Sequence, residues 1–256
     1  GECQGLRQLR WLRCWSMRGG WSTSRKSGNR FFGPEVRNNG STGMITDEAQ
    51  ARAWLESLEH CDALALGRLE ELVDLLREEN RRQNLVSRAT LDAVWCRHLA
   101  DSAQLLTHVP RETSGPWLDL GTGAGFPGLV ISILCPQMSV QMVESRSRRA
   151  EWLESARMKL GLEHAQVLGQ RVETMRETKF GVISARAFAP LDKLLDLSAR
   201  FSTTATVWLL PKGVSAQHEL DNLSEWNHAF HVKPSLTDPN AGIIVGTLTG
   251  RKARKS

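Results

Sequence analysis

The run Trp117-Leu118-Asp119-Leu120-Gly121-Thr122-Gly123-Ala124-Gly125-Phe126-Pro127-Gly128 constrains this chain more than any other stretch. A short apolar strand leads into a glycine-rich turn, and the apolar segment after it has helical character. Glycine suits such a turn because some positions need φ > 0, and because a side chain would hold the backbone away from a ligand. Glu144 closes the next apolar segment, Met138 to Val143, about twenty residues further on, where a carboxylate can accept both hydroxyls of a ribose. Gly123, Gly125 and Gly128 also satisfy the dinucleotide pattern G-x-G-x-x-G, so two cofactors fit the spacing, NAD and S-adenosyl-L-methionine. Asp119 argues for the second: a carboxylate beside the turn suits an amine and a sulfonium and would repel a pyrophosphate.

The pattern around this corner is that of a parallel sheet with helices on both faces. Apolar strands are expected at Trp117 to Leu120, Val140 to Val143, Ala165 to Leu168, Val182 to Ser184 and Val207 to Leu210. Helices fill the intervals, among them Ser147 to Leu160 and Leu191 to Phe201. Ala229 to Val232 and Ile243 to Leu248 have only a Pro/Asn/Gly turn between them and read as a closing antiparallel hairpin. Ahead of the sheet, Thr46 to His108 is helical in pattern. Leu69, Leu72, Val73 and Leu76 share one face, and Thr46 or Asp47 is placed to cap the first helix.

Charge is unevenly distributed. Residues 1–43 carry eight Lys or Arg against two acidic residues, which leaves 25 basic and 26 acidic residues for the remainder of the 256. The basic character therefore belongs to the extension, and the globular part is near neutral. Rich in Gly, Arg, Ser and Trp and without periodicity, residues 1–43 read as a disordered basic extension. An upstream segment ahead of a start at Met44 is the favoured origin, with a transit peptide or an RNA-binding arm as alternatives. No apolar run approaches membrane-spanning length. Cys3, Cys14, Cys61, Cys96 and Cys135 lack metal-ligand spacing, so no metal is expected, and a reducing compartment is.

Three motifs in order extend the reading. Asp119 to Gly128, Ala185-Arg186-Ala187-Phe188-Ala189-Pro190-Leu191 and Leu210-Pro211-Lys212-Gly213, with Gln83-Asn84-Leu85 and Arg97-His98-Leu99-Ala100-Asp101-Ser102 before them, resemble the glucose-inhibited division protein B family from about Met44 to about Gly250. The resemblance implies a Rossmann-like class I methyltransferase fold with an N-terminal helical cap, using S-adenosyl-L-methionine to methylate a guanine N7 of small-subunit ribosomal RNA. It implies a helical region over 44–110, the methyltransferase domain over 111–250 and a basic tail over 251–256. A cytoplasmic monomer is expected, organellar only if residues 1–43 are a transit peptide.

On this resemblance Asp119, Gly121, Gly123, Phe126, Glu144, Val172, Glu173 and Arg186 are the expected cofactor residues. Val172 and Glu173 stand where the adenine is met, and Arg186 at a strand end can hold the cofactor carboxylate or an RNA phosphate. His98, Asp101 and Lys212 are expected to place the substrate, with Asp101 orienting the His98 imidazole three residues before it on one helical face. Asn84 and Arg97 lie on the same helical segment, where a polar cluster fastening cap to sheet is the plainer alternative. Arg97, Arg186, Lys212 and the basic stretch from Arg251 are candidate phosphate contacts. No Ser/His/Asp triad is present. After the fourth strand the chain has neither an Asn/Asp-Pro-Pro-aromatic loop nor a cysteine nucleophile, which argues against amine and carbon-5 methylation. N7 carries a lone pair and no proton, so no catalytic base is expected.

Overall fold

The computed structural model describes residues 43–253. The expectations for residues 1–42 and for 254–256 of the basic tail lie outside the described residues.

The helical segment opens with α1 (Glu48–Glu56). Asp47 caps it, accepting the Gln50 N–H at 2.7 Å, and the Gln50 side chain returns to the Thr46 N–H at 3.0 Å. Reciprocal bonds of this kind satisfy donors that a helix start leaves open. Next come α2 (Ala63–Asn80) and α3 (Arg88–Asp92), capped by Asp62 and Ser87. The stripe read from sequence on α2 is buried as expected: Leu69, Leu72 and Leu76 are fully enclosed and Val73 nearly so. Truncating one such leucine to alanine typically costs about 2–5 kcal/mol. A wider π-type turn, Trp95–Ala100, runs into the short α4 (Asp101–Ala103). Its first N–H groups, those of Trp95 and Cys96, are held by the Glu48 carboxylate at 3.0 and 2.8 Å.

From Trp117 onward strands and helices alternate. In chain order they are β1 (Trp117–Leu120), α5 (Gly128–Leu134), β2 (Val140–Val143), α6 (Ser147–Lys159), β3 (Ala165–Leu168), β4 (Val182–Ala185), α7 (Leu191–Ser198), β5 (Val207–Lys212) and α8 (Ala216–Asp221). The chain then continues through β6 (Trp226–His228), β7 (His231–Pro234), β8 (Gly242–Gly246) and β9 (Leu248–Arg251). The main sheet runs β3-β2-β1-β4-β5-β8-β7. β1 to β5 are parallel, and β8 enters antiparallel between β5 and β7.

The closing hairpin is thus present, although its first strand starts two residues later than expected, at His231. β6 and β9, which no sequence signal separated from that hairpin, form a second two-stranded sheet. β5 also extends further than expected: Lys212, read as a turn residue after the strand, is its last residue and pairs in register with Gly242. Arg251, assigned to a basic tail, ends β9 and pairs with Asp196 and Glu225.

Alternation along the strands divides the core between the two faces. Trp117, Val140, Val182 and Leu209 share one cluster with α1, α2, α5 and α6, so the helical segment and the sheet bury a common interior. Leu118, Leu120, Ile183, Trp208 and Leu210 pack with α7 and α8 on the other face. Among the described residues no helix is long and apolar enough to cross a membrane, and no group of His, Cys, Asp and Glu could hold a metal ion. Cys61, Cys96 and Cys135 are free thiols, and burial pushes Cys135 up to about 12. The carboxyl ends of the parallel strands remain open, which is where ligands bind in such sheets.

Candidate active site

Asp119 organises the glycine turn from inside. It is fully buried, in register with Ser184 across the β1–β4 pair. One carboxylate oxygen accepts the Ser184 hydroxyl at 2.8 Å; the other accepts the Gly128 N–H at 2.9 Å and the Thr122 hydroxyl. The carboxylate therefore ties the end of β1 to the start of α5 and does not line the cofactor cleft, as its sequence position had suggested. Burial pushes its pKa up to about 6, against the three donors that favour the ionised form. Two glycines make this geometry possible. Gly123 has φ +60°, and a Cβ on Gly128 would lie 2.5 Å from the Met142 side chain and 2.9 Å from Asp119.

Above the turn lies an open cleft of about 570 Å³. Gly121, Glu144, Val172 and Glu173 all line it, with Gln170 between the β2 and β3 ends and Ala187, Phe188 and Ala189 opposite. Glu144 is buried, and its two oxygens accept the Gly123 N–H at 3.2 Å and the Arg146 N–H at 2.8 Å. Each oxygen keeps a lone pair for a further donor. Val172 is buried and its carbonyl accepts from Arg200 at 2.6 Å, whereas Glu173 is exposed and paired with Arg171 at 3.0 Å. The Arg171 guanidinium beside Glu173 holds its carboxyl below the usual range.

The lining side chains Arg146, Arg149 and Phe188 escaped the sequence reading. Arg149 sits on α6 with its Nη1 near the turn, 3.8 Å from where a Gly123 Cβ would stand. A Cβ on Gly121 would strike the Phe188 ring at 2.4 Å. The one available signal for the arginines was their position at the start of the helix after Glu144.

A second cavity of about 490 Å³ adjoins the cleft across Ala187-Phe188-Ala189. Ala187 holds φ +50°, a left-handed conformation that costs a residue with a Cβ roughly 1–2 kcal/mol. His98, Asp101, Arg186 and Lys212 line this cavity together with Arg97. The expected orientation of His98 by Asp101 is not what holds it. The Asp101 carboxylate accepts from Arg186 at 3.3 Å, Gln104 at 2.9 Å and Thr237 at 2.9 Å. Arg186 in turn bonds the His98 Nδ1 at 3.2 Å and the Arg97 carbonyl at 3.3 Å. Arg186 thus stands between the two residues, in a segment whose wider π-type turn alters helical spacing.

Because a guanidinium only donates, Nδ1 is the acceptor and the His98 proton is on Nε2, which is buried without a partner. Burial first, then Arg186 and Arg97, pull the imidazole pKa down to about 3. Phe126 is buried behind it, stacked on the ring at 4.7 Å with the Arg186 guanidinium 5.4 Å from its centroid. It joins the second cavity's support and not the cleft wall.

Lys212 Nζ donates to the Ala189 carbonyl at 2.7 Å and to Glu219 at 2.8 Å. Glu219 also takes the Leu191 N–H and the Ser215 hydroxyl, both at 2.8 Å. Burial would raise the Glu219 carboxyl, but these donors outweigh it and hold it below the ordinary range. Asn84 is exposed and does not join the cluster; Asn80 instead accepts the Leu85 and Val86 N–H groups at 2.8 and 2.9 Å.

A β3-β2-β1-β4-β5-β8-β7 sheet with one antiparallel strand, a glycine turn after β1 and a buried glutamate after β2 defines a Rossmann-like class I methyltransferase fold. A putative O-methyltransferase from Klebsiella pneumoniae shares it, with a TM-score of 0.51 at 14% identity over 78% of this chain and 96% of that one. The family model for rRNA small subunit methyltransferase G matches residues 65–238. Ribosomal RNA small subunit methyltransferase G of Novosphingobium aromaticivorans is 58% identical over 81% of this chain and 91% of its own length. That of Erythrobacter litoralis is 56% identical over 79% and 97%. The chain belongs to the rRNA small subunit methyltransferase G family, and the dinucleotide alternative left open by G-x-G-x-x-G falls away with that membership.

Proposed function

We propose that this chain transfers a methyl group from S-adenosyl-L-methionine to the N7 of a guanine in small-subunit (16S) ribosomal RNA, with no side chain acting as a base. The observation that carries the reading is the pair of cavities on either side of Ala187-Phe188-Ala189, one walled by Glu144 and the glycine turn, the other by charged residues already engaged with one another. Family membership supports both cofactor and substrate.

The residues present suit the cofactor. Glu144 would accept ribose hydroxyls, Val172 and Glu173 would meet the adenine, and Gly121 brings bare backbone to the cleft wall. When bound, S-adenosyl-L-methionine supplies a sulfonium methyl that is electrophilic in its own right. Asp119 holds the turn in shape, and Phe126 backs His98.

The chain's part in the transfer is placement. N7 has no proton to remove, and the titratable groups of the second cavity fit that requirement: His98 stays neutral, and Asp101 and Glu219 are bound to Arg186 and Lys212. Arg186 is fixed by Asp101, His98 and the Arg97 carbonyl, so its planar fork is aimed before substrate arrives. Lys212 acts at one remove, by fixing the Ala189 carbonyl in the wall between the cavities. The working unit in this reading is residues 44–250, a monomer in the cytoplasm, where its substrate is made.

Tritium transfer from S-adenosyl-L-methionine to small subunits lacking the modification tests the proposal. The product nucleoside is 7-methylguanosine, and the rate with bound RNA is nearly flat from mildly acidic to mildly alkaline pH. A different methylated nucleoside would refute the target. A single-proton rise near neutrality that vanishes in His98→Ala would refute the base-free transfer.

A further inference from the structure

Four of the cations that sequence position offers as phosphate contacts, Arg97, Arg186, Lys212 and Arg251, are already paired with carboxylates of the same chain. Arg97 pairs with Asp238 at 3.0 Å, Arg186 with Asp101 at 3.3 Å, Lys212 with Glu219 at 2.8 Å, and Arg251 with Asp196 and Glu225 at 3.1 and 2.6 Å. Pulling any of these onto a phosphate exchanges one charge-assisted bond for another and strands a carboxylate, so each contributes little net affinity.

The mouth of the cofactor cleft is different. Arg146 and Arg149 line its β2–α6 wall and Lys193 its β4–α7 wall, whereas Arg148, on the first turn of α6, lines the groove against α2 that Glu78, Glu79 and Glu151 also line. None of the four makes a side-chain hydrogen bond or an ion pair within 4.0 Å; Arg146, Arg148 and Lys193 are exposed. The acidic groups on this rim are neutralised locally: Glu144 is held by backbone N–H groups, and Glu173 is paired with Arg171. A cleft edge with unpaired cations on both walls attracts a polyanion and pays no carboxylate-desolvation cost on contact.

We infer that the ribosomal RNA docks by its phosphates on this rim, through Arg146 and Lys193, while Arg186 and Lys212 serve as internal braces and not as phosphate contacts. Arg149, nearest the glycine turn, is left to the cofactor side of the cleft. The inference rests on the rRNA methyltransferase reading. It assigns the RNA path to the α6 and α7 starts, so that the strand crosses the cleft mouth and its target base enters the adjoining cavity.

The test is the salt dependence of binding to small subunits isolated from a strain lacking the enzyme. For the wild-type chain log K falls linearly with log salt. In the double variant R146Q/K193Q binding at fixed moderate salt weakens at least fivefold, and the slope flattens by about 1.4, from about 0.7 per phosphate contact on a single strand. R146K keeps the wild-type slope, because the charge remains. Arg111→Gln, an exposed cation ahead of the amino end of β1 at the far end of the strands, leaves slope and affinity unchanged. Cofactor affinity of every variant, measured without RNA, separates loss of the cleft from loss of docking. An unchanged slope in the double variant overturns the inference, as does equal flattening in Arg111→Gln. A wild-type chain that binds subunits but leaves them unmethylated refutes the function above and leaves the docking result standing.

Discussion

The two cavities share only the loop after β4, Ala187 to Ala189, and differ in how their charges are used. In the second cavity Arg97, Arg186 and Lys212 each meet a carboxylate from a different part of the chain, and the imidazole of His98 is buried neutral among them. In the cofactor cleft the carboxylate of Glu144 is held by backbone N–H groups alone, and of the cations lining it Arg171 is paired, with Glu173, while Arg146, Arg149 and Lys193 form no ion pair. The first arrangement is rigid before any ligand arrives; the second keeps its polar capacity for ligands. A site that must place a neutral nucleophile gains from fixed groups, whereas one that exchanges a charged cofactor and faces a polyanion gains from open ones.

The largest effect that would break this comparison lies at the cleft. Gly123→Val forces a β-branched residue into φ +60°, a true outlier, although the nearest atoms to its Cβ, at 3.7 and 3.8 Å, leave room. The backbone must therefore shift, carrying the N–H away from Glu144. Calorimetry should show cofactor affinity reduced by roughly 100-fold or more, about 3 kcal/mol, with the chain still folded. Affinity within threefold of wild type would show that the turn does not shape the cleft.

A smaller effect is expected when the second cavity's brace is cut. Asp101→Ala leaves Arg186 without its carboxylate and also releases Gln104 and Thr237. The two side chains of the ion pair are 24% and 20% exposed, so solvent screens part of the loss. Stability should fall by about 1–3 kcal/mol in chemical denaturation, and the methylation rate by about tenfold with saturating RNA and unchanged cofactor affinity. Loss of cofactor affinity equal to the loss of rate would mean that the two cavities are not separate in function.

The smallest of the three effects sharpens the comparison through pH. The folded His98 pKa, at about 3, lies below its ordinary 6.5, so the unfolded chain binds a proton that the folded chain refuses. The stability that neutral His98 contributes is complete above about pH 6.5 and is lost as pH falls toward 3, by up to about 1.4 kcal/mol per pH unit. The half-buried His108, His164 and His228 shift in the same direction, and Asp119 shifts in the opposite sense. The difference between wild type and His98→Gln isolates the one group. Between pH 6.5 and 5 the variant should lose less stability than wild type by about 1 kcal/mol or more. Identical slopes would show that His98 is protonated in the folded protein and that Arg186 does not stand against its Nδ1.

Much of this protein follows from local pattern. The short apolar runs located β1 to β5 to within two residues, the α2 stripe named its buried leucines, and Asp47 was one of two candidates for the first cap. Glu144 was placed at the cleft because strand end, glycine and carboxylate carry their meaning within a single βαβ unit, and Gly121, Val172 and Glu173 joined it through the family resemblance. Tertiary structure alone decided which charges are free. Arg97 finds Asp238, Arg186 finds Asp101 and Lys212 finds the Ala189 carbonyl across distant stretches of chain, while Arg146 and Arg148, equally basic in sequence, find no carboxylate. Periodicity and spacing are properties of neighbouring residues, but ion pairing depends on which segments the sheet brings together and how much water remains around them. For that reason the sequence determined where a ligand would bind, and only the folded chain determined which of its cations would be available to meet it.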